Sequence, residues 1–142
     1  MSDNINVMEA LYDHLLELRS DFIIVFQLNK YDPQHNGREP YLRINLNRNA
    51  PLRLTMDNGG QYLDRGILQV TLVHAPSEDQ GFMSEPEYLS LATIVQDHFK
   101  SDTRLFQQGI IVRIPNKPTV GPIMSDAAQI QLPISIEWQT VN

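Results

Sequence analysis

Ile130-Gln131-Leu132-Pro133-Ile134-Ser135-Ile136-Glu137-Trp138 is the stretch on which the fold turns. Its apolar residues recur at every second position, the period that sends successive side chains to opposite faces of a strand. Pro133 falls on the outward face and lacks an N–H, so the pattern predicts an edge strand or a bulge. The same period recurs upstream. Leu42, Ile44 and Leu46 alternate with Tyr41, Arg43, Asn45 and Asn47, and Leu68, Val70 and Leu72 alternate with Gln69, Thr71 and Val73 between Gly66 and His74. Together the stripes predict one apolar sheet face made of Leu42, Ile44, Leu46, Leu68, Val70, Leu72, Ile130, Leu132, Ile134 and Ile136.

Two helical stripes would cover that face. Met8, Leu11, Tyr12, Leu15 and Leu18 lie opposite Glu9, Asp13 and Glu17, which predicts an amphipathic helix over about 6–19 with Asn6 and Glu9 as a weak capping box. Tyr88, Leu91, Ala92, Val95 and Phe99 trace a second helix ending near Lys100, with Ser84 and Glu87 as capping box and Pro86 in the first turn. Phe22-Ile23-Ile24-Val25-Phe26 is short and continuous, the mark of a strand buried on both faces. Gly109 to Ile114 reads as another strand, and Leu52 to Thr55 as a possible one. The order is α-β-β-(β)-β-α-β-β. Strand runs meet turn signals more often than helical crossovers, so the chain is expected to be one α+β domain over 1–142, a mostly antiparallel β-sheet with two α-helices packed on one face.

The segment Arg48 to Arg65 is long for a connection and contains the turn signal Asp57-Asn58-Gly59-Gly60. It is expected to be mobile in an isolated subunit and ordered on assembly.

Composition excludes several classes of function. The chain has 142 residues, no cysteine and a net charge of -6, enough length for a core without metal or disulfide staples. Thiol catalysis and cysteine-ligated metal are ruled out. The apolar run from Phe22 to Phe26 is far short of the ~20 residues that cross a bilayer, and the polar start, Met1 to Asn6, does not resemble a secretion signal. Charge is unevenly spread: +2 over residues 22–65, and -4 over each of 1–21 and 66–142, which sum to -6. Sequence-specific nucleic-acid binding is disfavoured at that balance; Arg43, Arg48 and Arg53 are the most suggestive basic set.

No chemical motif stands out. His14, His35, His74 and His98 are not spaced to face one ion on a helix turn or in alternating strand positions, so neither metal nor cofactor is expected. Acidic pairs sit on a polar helix stripe or at a helix start, where structure explains them. Phosphate-cradling glycine loops and a Gly-x-Ser-x-Gly elbow are missing from the sequence. A small-ligand enzyme or binding domain, with His74, Asp64 and Tyr62 as polar groups near a strand end, is the rival from another class.

Pro40-Tyr41-Leu42-Arg43, Leu54-Thr55 ahead of Gly59-Gly60, Arg65-Gly66-Ile67-Leu68-Gln69-Val70, Ala75-Pro76, His98-Phe99, Thr103-Arg104-Leu105, Val112-Arg113-Ile114, Gly121-Pro122 and Leu132-Pro133-Ile134-Ser135-Ile136 stand in an order that resembles a phage and prophage family. That family was long described as a phage-related domain of unknown function and is similar in fold to lambda-type tail terminators. The resemblance runs from about residue 6 to 139. It implies a virion structural protein without catalysis: a ring, hexameric in the relatives, that caps the tail tube, ends its polymerisation and prepares head–tail joining. It also implies the major tail tube protein and a head-completion or connector protein as partners, DNA passing through the ring, and a place in the virion tail after synthesis in the bacterial cytoplasm. Another neck or tail-completion role is the alternative. Two departures concern surface contacts: the plain apolar run Phe22 to Leu28, and Ala127-Ala128-Gln129 where relatives carry glycine and aromatics. The candidate interface with subunit or tube is Arg43, Arg48, Arg53, Asn58, Gly59, Gly60, Tyr62 and Arg65. A compact unit of this length is about 37 Å across, so six in a closed ring leave a hole of roughly the same width.

Overall fold

The computed structural model describes residues 2–27, 31, 38–49, 52–53, 62–126 and 128–141. Helix α1 (Ser2–Leu16) runs into a 3-10 turn (Glu17–Ser20) and is followed by β1 (Ile23–Val25), β2 (Tyr41–Arg48), β3 (Leu52–Arg53) and β4 (Tyr62–His74). Helix α2 (Glu85–His98) comes next, then β5 (Arg104–Gln107), β6 (Ile110–Arg113), β7 (Thr119–Val120), β8 (Met124–Ser125) and β9 (Ile130–Val141). These strands form one sheet in the order β1-β2-β4-β9-β6-β5, with β3 beside β4 and β7 and β8 beside β9. Among the described strands, only the β1–β2 pair is parallel. The expected α+β class, antiparallel sheet and two helices are all present.

The three apolar stripes stack in register. Leu42, Leu72 and Leu132 form one cross-strand row, Ile44, Val70 and Ile134 the next, and Leu46, Leu68 and Ile136 the third. A one-residue slip would turn the whole set toward solvent, so the rows fix the pairing. Their helix-side face packs with Leu11, Leu15 and Leu18 from the first helical segment and with Tyr88, Ala92, Val95 and Phe99 from α2 and its C-cap.

Several expectations are corrected. β9 is central, not an edge, and its one-to-one register with β4 from Leu63↔Val141 to His74↔Ile130 contains no bulge. Its proline is tolerated for a geometric reason. The Pro133 carbonyl accepts from the Gly121 N–H at 2.8 Å, so it points away from β4. In an antiparallel strand the N–H and C=O of one residue point the same way. The missing donor therefore faces the gap between β7 and β8, and the β4–β9 ladder loses nothing. Gly121 is required there, because a Cβ would lie 2.8 Å from Pro133 Cγ.

β1 is an edge strand whose Ile23 and Ile24 are half-buried, so Phe22 to Phe26 is not buried on both faces. Helix α1 starts at Ser2, which places Asn6 inside it rather than at its cap. It buries Val7 and Ala10 and leaves Met8 36% exposed. Ser84 is the N-cap of α2 but makes no side-chain cap bond; its carbonyl accepts the Glu87 and Tyr88 amides instead. β4 begins at Tyr62, so Tyr62 to Arg65 are not loop: Leu63 to Arg65 pair with β9, and Tyr62 and Leu63 pair with β3. Residues 54–61 lie outside the described residues.

A candidate assembly surface

The arginine-rich candidate set divides between the two faces of the sheet. Arg43 and Arg65 occupy outward positions of β2 and β4, opposite in alternation to Ile44 and Leu68. Arg65 is exposed; Arg43 is half-buried, and its Nη2 donates to Gln131 Oε1 at 3.5 Å. Arg48 and Tyr62 fall on the other alternation. The Arg48 guanidinium lies 5.5 Å from the ring centroid of Trp138, the last residue of the central apolar stripe. Trp138 is buried, and its Nε1 has no hydrogen-bond partner among the described residues. Gly66, opposite both Arg48 and Trp138, makes room for the indole. Arg48 thus has a structural role as well as a surface one. Burial lifts the Tyr12 hydroxyl above its ordinary value, and the nearby Arg48 charge opposes that. Arg53 lies in β3 opposite Tyr62; Asn58, Gly59 and Gly60 lie outside the described residues.

The structure adds residues that the sequence reading missed. β5 was unread, and with it a hairpin whose two turn residues, Gln108 and Gly109, both have positive φ, 48° and 84°, the backbone that joins twisted strands in two residues. Across it Leu105 faces Val112 toward the core, while Phe106 pairs with Ile111 and Arg104 with Arg113 on the outward face. Phe106 is 71% exposed, Ile111 47% and the neighbouring Val141 52%. A depression of about 360 Å³ lies among Arg104, Ile111, Arg113, Gln139 and Val141. Arg113 meets Asp102 at 3.3 Å; Arg104 has no hydrogen-bond or ion-pair partner among the described residues.

Histidines far apart in sequence come together. His14 Nε2 donates to the His98 carbonyl at 2.8 Å, and His98 Nε2 donates to the His14 carbonyl at 2.6 Å. Carbonyls only accept, so both Nε2 atoms carry hydrogen. The rings stack at 3.9 Å, 12° from parallel. Glu17 approaches both rings, at 3.5 and 3.7 Å, and the three side chains offer ligand atoms within 4.8 Å of one another. Sequence spacing alone could not reveal this cluster. Its chemistry is nonetheless that of a clasp between α1 and α2. Ring-nitrogen lone pairs lie in the ring planes, and two nearly parallel planes do not converge on one ion.

The rival ligand-site set does not converge. Tyr62 and His74 are the two ends of β4, about 40 Å apart at strand rise. His74 is buried, and its Nδ1 is 2.6 Å from the Tyr88 hydroxyl. That hydroxyl already accepts the Met83 N–H, so its own proton is directed to His74. Burial pushes His74 below its ordinary value and lifts Tyr88, with the Met83 amide pulling Tyr88 back. A neutral imidazole accepting from a neutral phenol satisfies both groups.

A solved structure superposes with a TM-score of 0.66 at 21% sequence identity, covering 96% of this chain and 92% of that one, which shows a shared fold. No curated protein sequence matches this chain. The family described as phage tail terminator protein matches residues 6–138 of the 142. With helices, sheet and core all inside that span, the chain belongs to the phage tail terminator family.

Proposed function

We propose that this chain caps the phage tail tube as a ring, hexameric as the resemblance implies, and so ends tube polymerisation and presents the surface on which the head is joined. The observation that carries the reading is the family match over residues 6–138. In this role the protein is structural and its work is association: the tube protein on one side, a head-completion or connector protein on the other, and DNA passing through the lumen without being read. The finished product resides in the virion tail. The exposed apolar and cationic end of the sheet and the edge strands β1 and β5 support an assembling module.

Deletion of the gene from its phage or prophage tests the reading. Tails of irregular excess length without heads are expected, and purified wild-type protein should stop further growth and restore joining. Tails of normal length lacking heads would shift the assignment to another neck or tail-completion role. Tails of normal length that attach heads would remove it. Arg65→Glu suits the rescue assay better than Arg48→Glu, because Arg65 is exposed on the outward face whereas Arg48 also covers Trp138. Weaker rescue by Arg65→Glu with an unchanged melting temperature is expected.

A further inference from the structure

We propose that copies of this chain associate head to tail, the open end of one copy's outward sheet face, at Phe106, Ile111 and Arg104, seating on the solvent side of α2 in the next. The proposal rests on the ring reading above and specifies which surfaces meet.

Charge divides between the layers of the fold. Neither α1 nor α2 contains a lysine or arginine, and α2 carries Glu85, Glu87 and Asp97. The outward positions of the sheet hold Arg43, Arg65, Arg104 and Arg113 against Glu137, with Asp102 beside Arg113. Each surface also has apolar area to bury. Ile111 lines the depression beside Val141, its strand partner Phe106 is exposed, and an aromatic ring of this kind carries roughly 150–250 Å² of contact area. On α2, Leu89 and Ile94 are each 40% exposed. Between them lie Ser90 and Thr93, whose hydroxyls donate back to the Pro86 and Leu89 carbonyls at 2.9 Å. With those donors already used, that side of the helix offers carbon surface with carboxylates at its margins.

The two surfaces are unlike each other and belong to opposite layers of one molecule. A two-fold pair of sheet faces would set Arg104 and Arg113 against their own copies, and a two-fold pair of helices would set carboxylate against carboxylate. Sheet on helix is the arrangement in which charges complement, and being heterologous it repeats around a ring instead of stopping at two copies.

The chain has no cysteine, so introduced thiols report contacts cleanly. Ile111→Cys and Thr93→Cys chains, mixed and oxidised, should give a covalent dimer that neither variant gives alone. The chain carrying both should give a ladder of oligomers, and its rate of formation should fall as salt rises. Cross-linking traps weak association, so a low natural affinity does not hide the result. In a second arm, R104E/R113E and E85R/E87R chains should each lose association, and mixing them should restore it, because acidic sheet then meets basic helix and basic sheet meets acidic helix in alternation. Homodimers of either single-cysteine variant, no mixed dimer at high concentration, or no restoration on mixing would overturn the proposal. These readings do not depend on tail length. A ladder in vitro with normal tails in the deletion strain keeps the interface and removes the terminator reading, and overlength tails without a ladder do the reverse.

Discussion

Gly66→Ala places a Cβ 2.0 Å from the Asn47 carbonyl oxygen, 2.7 Å from Trp138 Cζ2 and 3.0 Å from the Arg48 Cα. Two of the three atoms are backbone of β2, held by the Asn47↔Ile67 and Arg48↔Gly66 pairs, so the strain cannot be relieved by turning one side chain. Overpacking a formed core costs about 1–3 kcal/mol and more where backbone must move; about 3 kcal/mol is the expected size here. The entropic gain of replacing glycine, roughly 0.4–1 kcal/mol where the site accepts the new side chain, is too small to offset it. For 142 residues the unfolding entropy is about 0.3 kcal/mol/K, so the melting temperature should fall by about 10 °C. Thermal and urea unfolding of the variant measure this directly. Trp138→Phe removes the Cζ2 contact but not the Asn47 one, so in the double variant only part of the loss from Gly66→Ala should return. A Gly66→Ala protein melting within about 2 °C of wild type, or full relief by Trp138→Phe, would refute the account of Gly66 as the clearance between β2 and the indole.

Leu132→Ala, at the β9 end of the first cross-strand row and fully buried, should cost about 2–5 kcal/mol by urea unfolding. Pro133→Ala should change stability by no more than about 1 kcal/mol, since the ring's missing N–H faces the β7–β8 gap; a large loss or gain would contradict that placement. Because burial lowers the His74 value from its ordinary 6.5, the unfolded chain takes up a proton before the folded one does. Stability should then be full above about pH 6.5 and decline as pH falls below it, and His74→Asn should flatten that part of the profile. His14→Ala and His98→Ala should each cost about 1–3 kcal/mol, and the double variant less than the sum, because each single variant already forfeits the stacking the two rings share while losing only its own bond to the other's carbonyl; additive losses would show that the stacking contributes nothing.

The rows of the sheet were legible because burial on one face leaves a two-residue period that only a strand explains. Leu42, Leu68 and Leu132 needed no tertiary information to be assigned to the core. What failed did so where local signals carry no neighbour information. Pro133 argued for an edge, since the sequence does not say toward which flank its missing donor points. β5 was invisible because Arg104-Leu105-Phe106-Gln107 turns one apolar residue inward and one outward, which blurs the alternation. The inward face of α1 was legible at Leu11, Leu15 and Leu18 but not at its start, where Val7 and Ala10 turn inward and Met8 stays partly exposed. The clasp of His14 and His98 joins residues 84 positions apart. The candidate surface was legible only as a basic region; its division between two sheet faces follows from register, which fixes Arg65 outward and Arg48 over Trp138.

The same register links stability to assembly. Every residue that turns an apolar side chain inward from β2, β4 and β9 obliges its neighbours to face out, and those outward positions are where Arg43, Arg65 and Arg113's partner Gln139 stand. The helices that cover the inner face place their carboxylates on the opposite side of the domain. With arginines prevailing on the sheet's outward positions and carboxylates on α2, a contact between unlike faces matches charge better than a contact between like ones. Such a contact is directional, and directional contact between identical units closes into a ring when the rotation per unit divides a full turn. In the proposed ring, the strand alternation that builds the core would also supply the asymmetry between layers that a head-to-tail contact uses.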